Sequence, residues 1–402
     1  MPDDLVRRMR SHQTSIFGEM SAQAIAFEAI NLGQGFPDQD GPESIKQAAM
    51  RAIADGRGNQ YPPAHGLPEL RQQVAAHQDR FYGLTPRWRT EICITTGASE
   101  AIGATVLALV EPGDEVVMFD PYFDVYAAVT SLAGADRVCV PLTGPGLRPD
   151  LTTLAKTITD RTRMLILNSP HNPTGVVFTE AELTEVARLA IKHDVIVLAD
   201  EAYEHLWFDG HPHVPIATLP QMWDRTITIG SAGKSFSFTG WKVGWATGPA
   251  DLISAVRVVR QNLSYVSSGP FQWAIAEALQ LPDDYYQNFR EGLAQQRDQL
   301  SSALTKMGFT VLPTQGTYFV TTDVRSLGFT DGNEFCQWSP QNAGVVAIPH
   351  AALSDHPAAS APYVRWAFCK QPSQLAEAAE RLATGLNRRP TTPLPPFTDR
   401  DS

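Results

Sequence analysis

Four cysteines are all that this 402-residue chain contains, and Cys93, Cys139, Cys336 and Cys369 are scattered along it. Their spacing suggests neither a metal knuckle nor a disulfide framework, and two of them lie inside apolar strand-like runs, as buried structural thiols do. No metal site is expected. Equally missing is any run of about 18 apolar residues, and the opening M-P-D-D-L-V-R-R-M-R has basic residues with no apolar segment behind them. The expectation is a soluble cytoplasmic protein. Positive charge is also short: the formal net charge is −11, so no basic stripe is available for a nucleic acid or an anionic membrane. A small-molecule substrate is the better default.

What is present is ordinary globular material, with 43% hydrophobic residues in a chain long enough for two domains or one large one. An arm at residues 1–40 includes a weakly periodic helical segment, Ser15 to Ala26, and then the switch I-N-L-G-Q-G-F-P-D, whose glycines at 33 and 35 permit close backbone approach. Within residues 41–282, apolar runs at Glu91–Thr95, Glu115–Phe119, Arg137–Val140, Met164–Leu167, Val195–Ala199 and Thr226–Ile229 read as strands. Helix-like stretches such as Ser99–Val110 and Ala181–His193 separate them. Continuous rather than alternating apolar strands indicate a sheet covered on both faces, hence a doubly wound, mostly parallel α/β unit. Residues 283–387 read as a smaller α+β domain, and the proline-rich 388–402 as a loosely held tail.

The chain's most informative stretch is T-I-T-I-G-S-A-G-K-S-F-S-F-T-G-W-K-V-G-W-A-T-G, residues 226 to 248, with Lys234 at the end of an apolar run and Lys242 eight residues on. Three chemistries compete for it. A phosphate loop of the form G-x-x-x-x-G-K-[ST] fails because residue 228 is Thr228 and not glycine. An S-x-x-K nucleophile, Ser231 with Lys234, lacks S-D-N and K-T-G partners. A lysine that forms a Schiff base with a carbonyl cofactor remains, and it demands a phosphate anchor and a group to tune the cofactor ring.

Ligands in open α/β sheets lie at the carboxyl ends of strands, so the other parts should follow the apolar runs. After Thr95 comes T-G-A-S-E-A-I, where the amides of Gly97, Ala98 and Ser99 open a helix and form an anion site, or only a tight turn. After Leu167 comes N-S-P-H-N-P-T-G, presenting Asn168 and Asn172 on a proline-stiffened loop. After Ala199 comes D-E-A-Y, where Asp200 at the mouth of a buried sheet needs a cationic partner, such as a protonated pyridine nitrogen, and Tyr203 follows. P-Y-F-D-V-Y after Asp120 offers Phe123 for stacking on a flat ring, with core packing as the alternative. Arg365, inside the apolar Y-V-R-W-A-F-C, calls for a bidentate carboxylate ligand or an internal salt bridge.

With N-P-T-G at 172–175, D-E-A-Y at 200–203, S-A-G-K at 231–234 and the late arginine in that order, the chain resembles the fold-type I pyridoxal-phosphate aminotransferases from about Ile16 to Leu386. The resemblance implies that Lys234 binds the cofactor as a Schiff base and later carries the substrate α-proton, with Asp200 on the pyridine nitrogen and Asn172 and Tyr203 on the ring oxygen. It implies a phosphate site of Gly97, Ala98, Ser99, Ser231 and Lys242, completed by Tyr61 from the neighbouring subunit of a homodimer, with Phe123 on the ring. Arg365, Gly35 and Asn172 would grip the substrate carboxylate, with Phe17 and Tyr265 beside the substrate. The reaction it implies passes nitrogen from an amino acid to a 2-oxo acid in two half-reactions. L-G-Q-G-F-P-D, N-S-P-H-N-P-T-G and G-W-K-V-G-W look like the branch of kynurenine, glutamine and methionine aminotransferases. Residues 263–272 and 344–349 look most similar to actinobacterial N-succinyldiaminopimelate aminotransferases of lysine synthesis. A cysteine-conjugate β-lyase would use the same residues. A DNA-binding regulator built on this fold is disfavoured, because the fifteen residues ahead of Ile16 leave no room for a helix-turn-helix.

Overall fold

The computed structural model describes residues 5–12, 15–267 and 269–389. Most of the expected tail, 390–402, lies outside the described residues. In chain order the strands are β1 (Ile30–Asn31), β2 (Ile92–Thr96), β3 (Glu115–Asp120), β4 (Asp136–Thr143), β5 (Arg148–Pro149), β6 (Thr162–Asn168), β7 (Ile196–Asp200), β8 (Thr226–Ser231), β9 (Val243–Thr247), β10 (Thr310–Val311), β11 (Phe319–Asp323), β12 (Val345–Val346), β13 (Ile348–Pro349) and β14 (Tyr363–Ala367).

An eight-stranded sheet runs in the order β2-β9-β8-β7-β6-β3-β4-β5. Its centre is parallel, as the apolar runs require, and residue parity divides its side chains between two cores. Val117, Phe119, Leu165, Leu167, Val197 and Ala199 enter one core. Val116, Met118, Met164, Ile166, Ile196 and Leu198 enter the other. Full burial of each such aliphatic side chain contributes on the order of 1.5–3 kcal/mol, which is why these strands tolerate no alternation with polar residues. The helix Glu180–Lys192 starts at a capping box, with the Thr179 hydroxyl accepting from the Glu182 amide and the Glu182 carboxylate accepting from the Thr179 amide.

One strand departs from the sequence reading. Val243–Thr247 was not expected as a strand; it pairs antiparallel with both β2 and β8. Its glycine and two large aromatics nearby disguise it as loop, yet Trp245 is fully buried and the strand returns the chain to the β2 edge.

A four-stranded antiparallel sheet, β10-β11-β14-β13, is built from residues 310–367. Its core takes in Met20, Ala24 and Leu32 from the amino-terminal segment as well as Leu375, Ala378 and Leu382 from the last helix. The parallel bridge β1 to β12 fastens the two ends together. Consequently Gly33 and Gly35 sit over the carboxyl edge of the large sheet. Among the described residues no helix is long and apolar enough to cross a membrane.

Candidate active site

A cavity of ≈ 290 Å³ opens where β6, β7 and β8 end. Strand register brings Asn168 beside Asp200 and Asp200 beside Ile229, so the ends of the three strands lie together. Its lining includes Phe17, Gly35, Gly97, Ala98, Ser99, Phe123, Asn172, Asp200, Tyr203, Ser231, Lys234, Lys242 and Arg365. Thus thirteen expected residues converge, from positions as far apart as 17 and 365.

At one end the helix Gly97–Leu109 points its amino terminus into the cavity, and its cap residue Thr96 gives no side-chain bond to the first turn. The amides there have no intrahelical acceptor, and the helix dipole favours an anion. Gly97 has φ +72, the left-handed region that favours glycine, and a Cβ on it would make a tight 3.3 Å contact with the Lys242 ammonium. Ser231 ends β8 on the other side.

Asp200 is buried at the end of β7. Burial pushes its carboxyl above the ordinary value, opposed by two bonds: the Tyr126 hydroxyl donates to Oδ2 at 2.6 Å and the Ala202 amide to Oδ1 at 3.1 Å. No basic side chain of the described residues forms an ion pair with it. The sequence reading asked for a cation here and missed Tyr126, although it stands three residues after Phe123 on the same helix-starting segment. Phe123 itself lines the cavity and meets the Tyr126 ring edge-on, 5.7 Å between centroids.

Asn168 anchors the proline-rich loop: its amide donates to the Asp200 carbonyl at 2.8 Å while its Oδ1 accepts from the Asn172 amide at 2.8 Å. Asn172 is thereby held with its own Oδ1 toward Arg365, whose Nη1 donates to it at 2.8 Å. Arg365 Nη2 donates to the Gly33 carbonyl at 2.6 Å, and Nε is buried without a partner. The guanidinium lies 4.0 Å from the Phe319 ring centroid and 5.0 Å from that of Phe17. The internal salt bridge weighed from the sequence is absent among the described residues. Burial lowers the Arg365 pKa to about 10, which still leaves it charged and in want of an anion at neutral pH.

Lys234 opens on the cavity, but the protein around its amine strips away water and lowers its pKa from 10.5 to about 8. Nζ donates to the Tyr318 hydroxyl at 2.9 Å. Its position lies 5.7 Å and 5.5 Å from the ring centroids of Tyr203 and Tyr318. Because the folded value is the lower one, the unfolded chain binds more protons between about pH 8 and 10.5. Lys234 therefore makes the stability of the cofactor-free protein climb with pH across that window. Urea unfolding at a series of pH values should show a shallower climb for Lys234→Met than for the wild type; equal slopes would contradict the shift.

Two expected residues are not brought to this cavity within one chain. Tyr61 is 80% exposed, and Tyr265, expected beside the substrate, packs edge-on against it with centroids 5.4 Å apart. Tyr265 adopts φ +66, which turns it outward from the end of the helix Ala250–Leu263. Tyr318 was not singled out, since its approach to Gly35 spans 283 positions and leaves no local signal.

Residues 28–382 match the family model of the class I and II aminotransferases. The chain is 48% identical over 397 residues to the probable N-succinyldiaminopimelate aminotransferase DapC of Mycobacterium tuberculosis, covering 96% of this chain and 100% of the relative. It is 38% identical to the methionine aminotransferase of Escherichia coli, over 92% and 95% of the two chains. The solved N-succinyldiaminopimelate aminotransferase structure from M. tuberculosis superposes with a TM-score of 0.93, covering 94% of this chain and 99% of that one.

Proposed function

Because the chain belongs to the class I and II aminotransferases, we propose that its cavity holds pyridoxal 5′-phosphate and that its amino donor is N-succinyl-LL-2,6-diaminopimelate, with 2-oxoglutarate as acceptor. The residues fit the cofactor without rearrangement of charge. The open helix terminus at Gly97, Ala98 and Ser99, with Ser231 and Lys242, would hold the phosphate. Phe123 would face the pyridine ring, Asp200 would hold its nitrogen, and Asn172 and Tyr203 would hold its ring oxygen. Bound there, the cofactor supplies an electron sink for the pair left when the donor's α-proton departs.

The chain's own residues do the rest. Arg365 receives the donor's α-carboxylate on its fork, against Asn172 and the Gly35 backbone, and Phe17 closes the apolar side. Lys234 Nζ, whose pKa burial lowers to about 8, would take the α-proton from the donor and hand it on within the same half-reaction, and would run that transfer in reverse in the second. Tyr126 keeps Asp200 aligned, and its hydroxyl opposes the upward push of burial on the carboxyl. Tyr61, exposed in one chain, would complete the phosphate site of a second copy in a homodimer.

The single observation that carries the reading is the convergence in one cavity of a desolvated lysine, a buried aspartate and a buried arginine, the last two without an ion-pair partner among the described residues. For the donor, the support is the 48% identity over nearly the whole chain. A panel of donors against 2-oxoglutarate, containing N-succinyl-LL-2,6-diaminopimelate, kynurenine, methionine and glutamine, tests it. The succinylated donor should exceed the others by at least about tenfold in kcat/KM. A preference for methionine or kynurenine would replace the substrate while leaving the chemistry intact, and release of pyruvate and ammonia from a cysteine conjugate would mark a β-lyase.

A further inference from the structure

Tyr318 is fully buried just ahead of β11, with its ring edge-on to Tyr203 at 5.2 Å and against Phe319 at 4.8 Å. Its hydroxyl donates to the Gly35 carbonyl at 2.5 Å and accepts from Lys234 Nζ at 2.9 Å. Gly35 is pressed so closely on this ring that a Cβ there would lie 2.8 Å from Tyr318 Cε2, and it would also collide with Phe319. The three groups form one wall of the cavity.

A phenol has a single proton, and here the carbonyl of Gly35, which can only accept, takes it. Tyr318 therefore faces Lys234 with a lone pair and can only receive an N–H from it. Gly35 O lies 3.5 Å from the same nitrogen, a longer approach on the same side. A neutral amine has two N–H bonds and one lone pair. With both N–H bonds drawn to the wall, the lone pair is left facing the cavity.

We infer that Tyr318 is a positioning residue that, with the Gly35 carbonyl, docks the free amine of Lys234 so that its lone pair is aimed at the substrate's α-hydrogen. This rests on the reading of Lys234 as the group that moves the α-proton. The hydroxyl stays neutral, because burial raises its pKa well above the ordinary phenol value. The dock serves the lysine whenever its nitrogen is free of the cofactor, and it orients without touching the substrate. A misaimed amine loses proton-transfer rate while substrate affinity, which belongs to Arg365, is kept.

The test is Tyr318→Phe in the cofactor-loaded enzyme, assayed with the best donor of the panel and with the same donor deuterated at its α-carbon. Phenylalanine keeps the ring that packs on Tyr203 and Phe319. The expected result is a kcat lower by about 10- to 100-fold, KM within about threefold, and a larger α-deuterium isotope effect, with the visible absorption retained. In the cofactor-free protein, the pH midpoint of Lys234 labelling by an amine reagent, followed by peptide mass spectrometry, should fall by about half a unit, because the lost acceptor favoured the ammonium. If Tyr318→Phe does not accumulate as folded protein, Tyr318→His, whose shorter ring cannot reach Gly35, must show the same fall in kcat, larger isotope effect and lower labelling midpoint. An unaltered isotope effect and labelling midpoint, or loss of the bound cofactor, would overturn the inference. A wild type whose Lys234 neither labels near pH 8 nor binds the cofactor would instead remove the reading beneath it.

Discussion

Replacement of Lys234 by alanine is expected to abolish transamination, by on the order of 10⁴-fold or more in kcat, and to leave the protein colourless after incubation with pyridoxal phosphate and extensive dialysis. The size follows from two losses at one atom. In the proposed site the amine is the covalent attachment point, and burial also brings its pKa to about 8, where it can both take and return a proton. Asp200 and Arg365 cannot substitute for it: one is committed to Tyr126 and the Ala202 amide, the other stays protonated with a pKa of about 10. The phosphate site is untouched by the change, so the variant should still bind the cofactor weakly and reversibly through Gly97 to Ser99, Ser231 and Lys242. A yellow, active Lys234→Ala protein would be incompatible with the site described here.

Arg365→Ala is the second large effect, and it should separate cleanly from the first. Truncating one partner of a buried charge-assisted pair costs roughly 2–5 kcal/mol, much of it the penalty for leaving the other charge unpaired. KM for the donor should therefore rise by about 10²- to 10³-fold, with a smaller fall in kcat and the visible absorption retained. Asn172 Oδ1 and the Gly33 carbonyl lose their donors at the same time, so a modest fall in thermal stability accompanies the kinetic change. Arg365→Lys restores charge but not the planar fork, and should recover only part of the affinity. Donor kinetics indistinguishable from wild type would remove Arg365 from the carboxylate site.

How much of this was legible in the sequence depended on where each residue sits relative to a strand end. Asp200 follows an apolar run directly, Asn172 and Lys234 come within a few residues of one, and the punctuation of glycine and proline after those runs marks the loops that a parallel sheet turns toward its ligand. Arg365 was legible for a different reason, as a guanidinium inside an apolar strand that needs an explanation. Gly33 and Gly35 could be read only as sites of close approach; that one offers its carbonyl to Arg365 and the other to Tyr318 is a tertiary fact. Val243–Thr247 escaped because Gly244 and Ala246 interrupt its strand-forming residues, while its antiparallel pairing with β2 and β8 supplies the stability that local preference does not. Tyr126 and Tyr318 escaped because an aromatic in an apolar segment is read as core by default. Only the hydroxyl partners, Asp200 in one case and Gly35 with Lys234 in the other, separate a site residue from a packing one. Tyr61 and Tyr265 need a second copy of the chain before a role at the site can be assigned to either.

The most direct measurement is to load the wild-type protein with pyridoxal phosphate, reduce it with borohydride and map the modified peptide by mass spectrometry. The site described here predicts one cofactor fixed to the Lys234 side chain within S-A-G-K-S-F, with Lys242 unmodified. Fixation at Lys242 or another lysine, or no fixation at all, would contradict it.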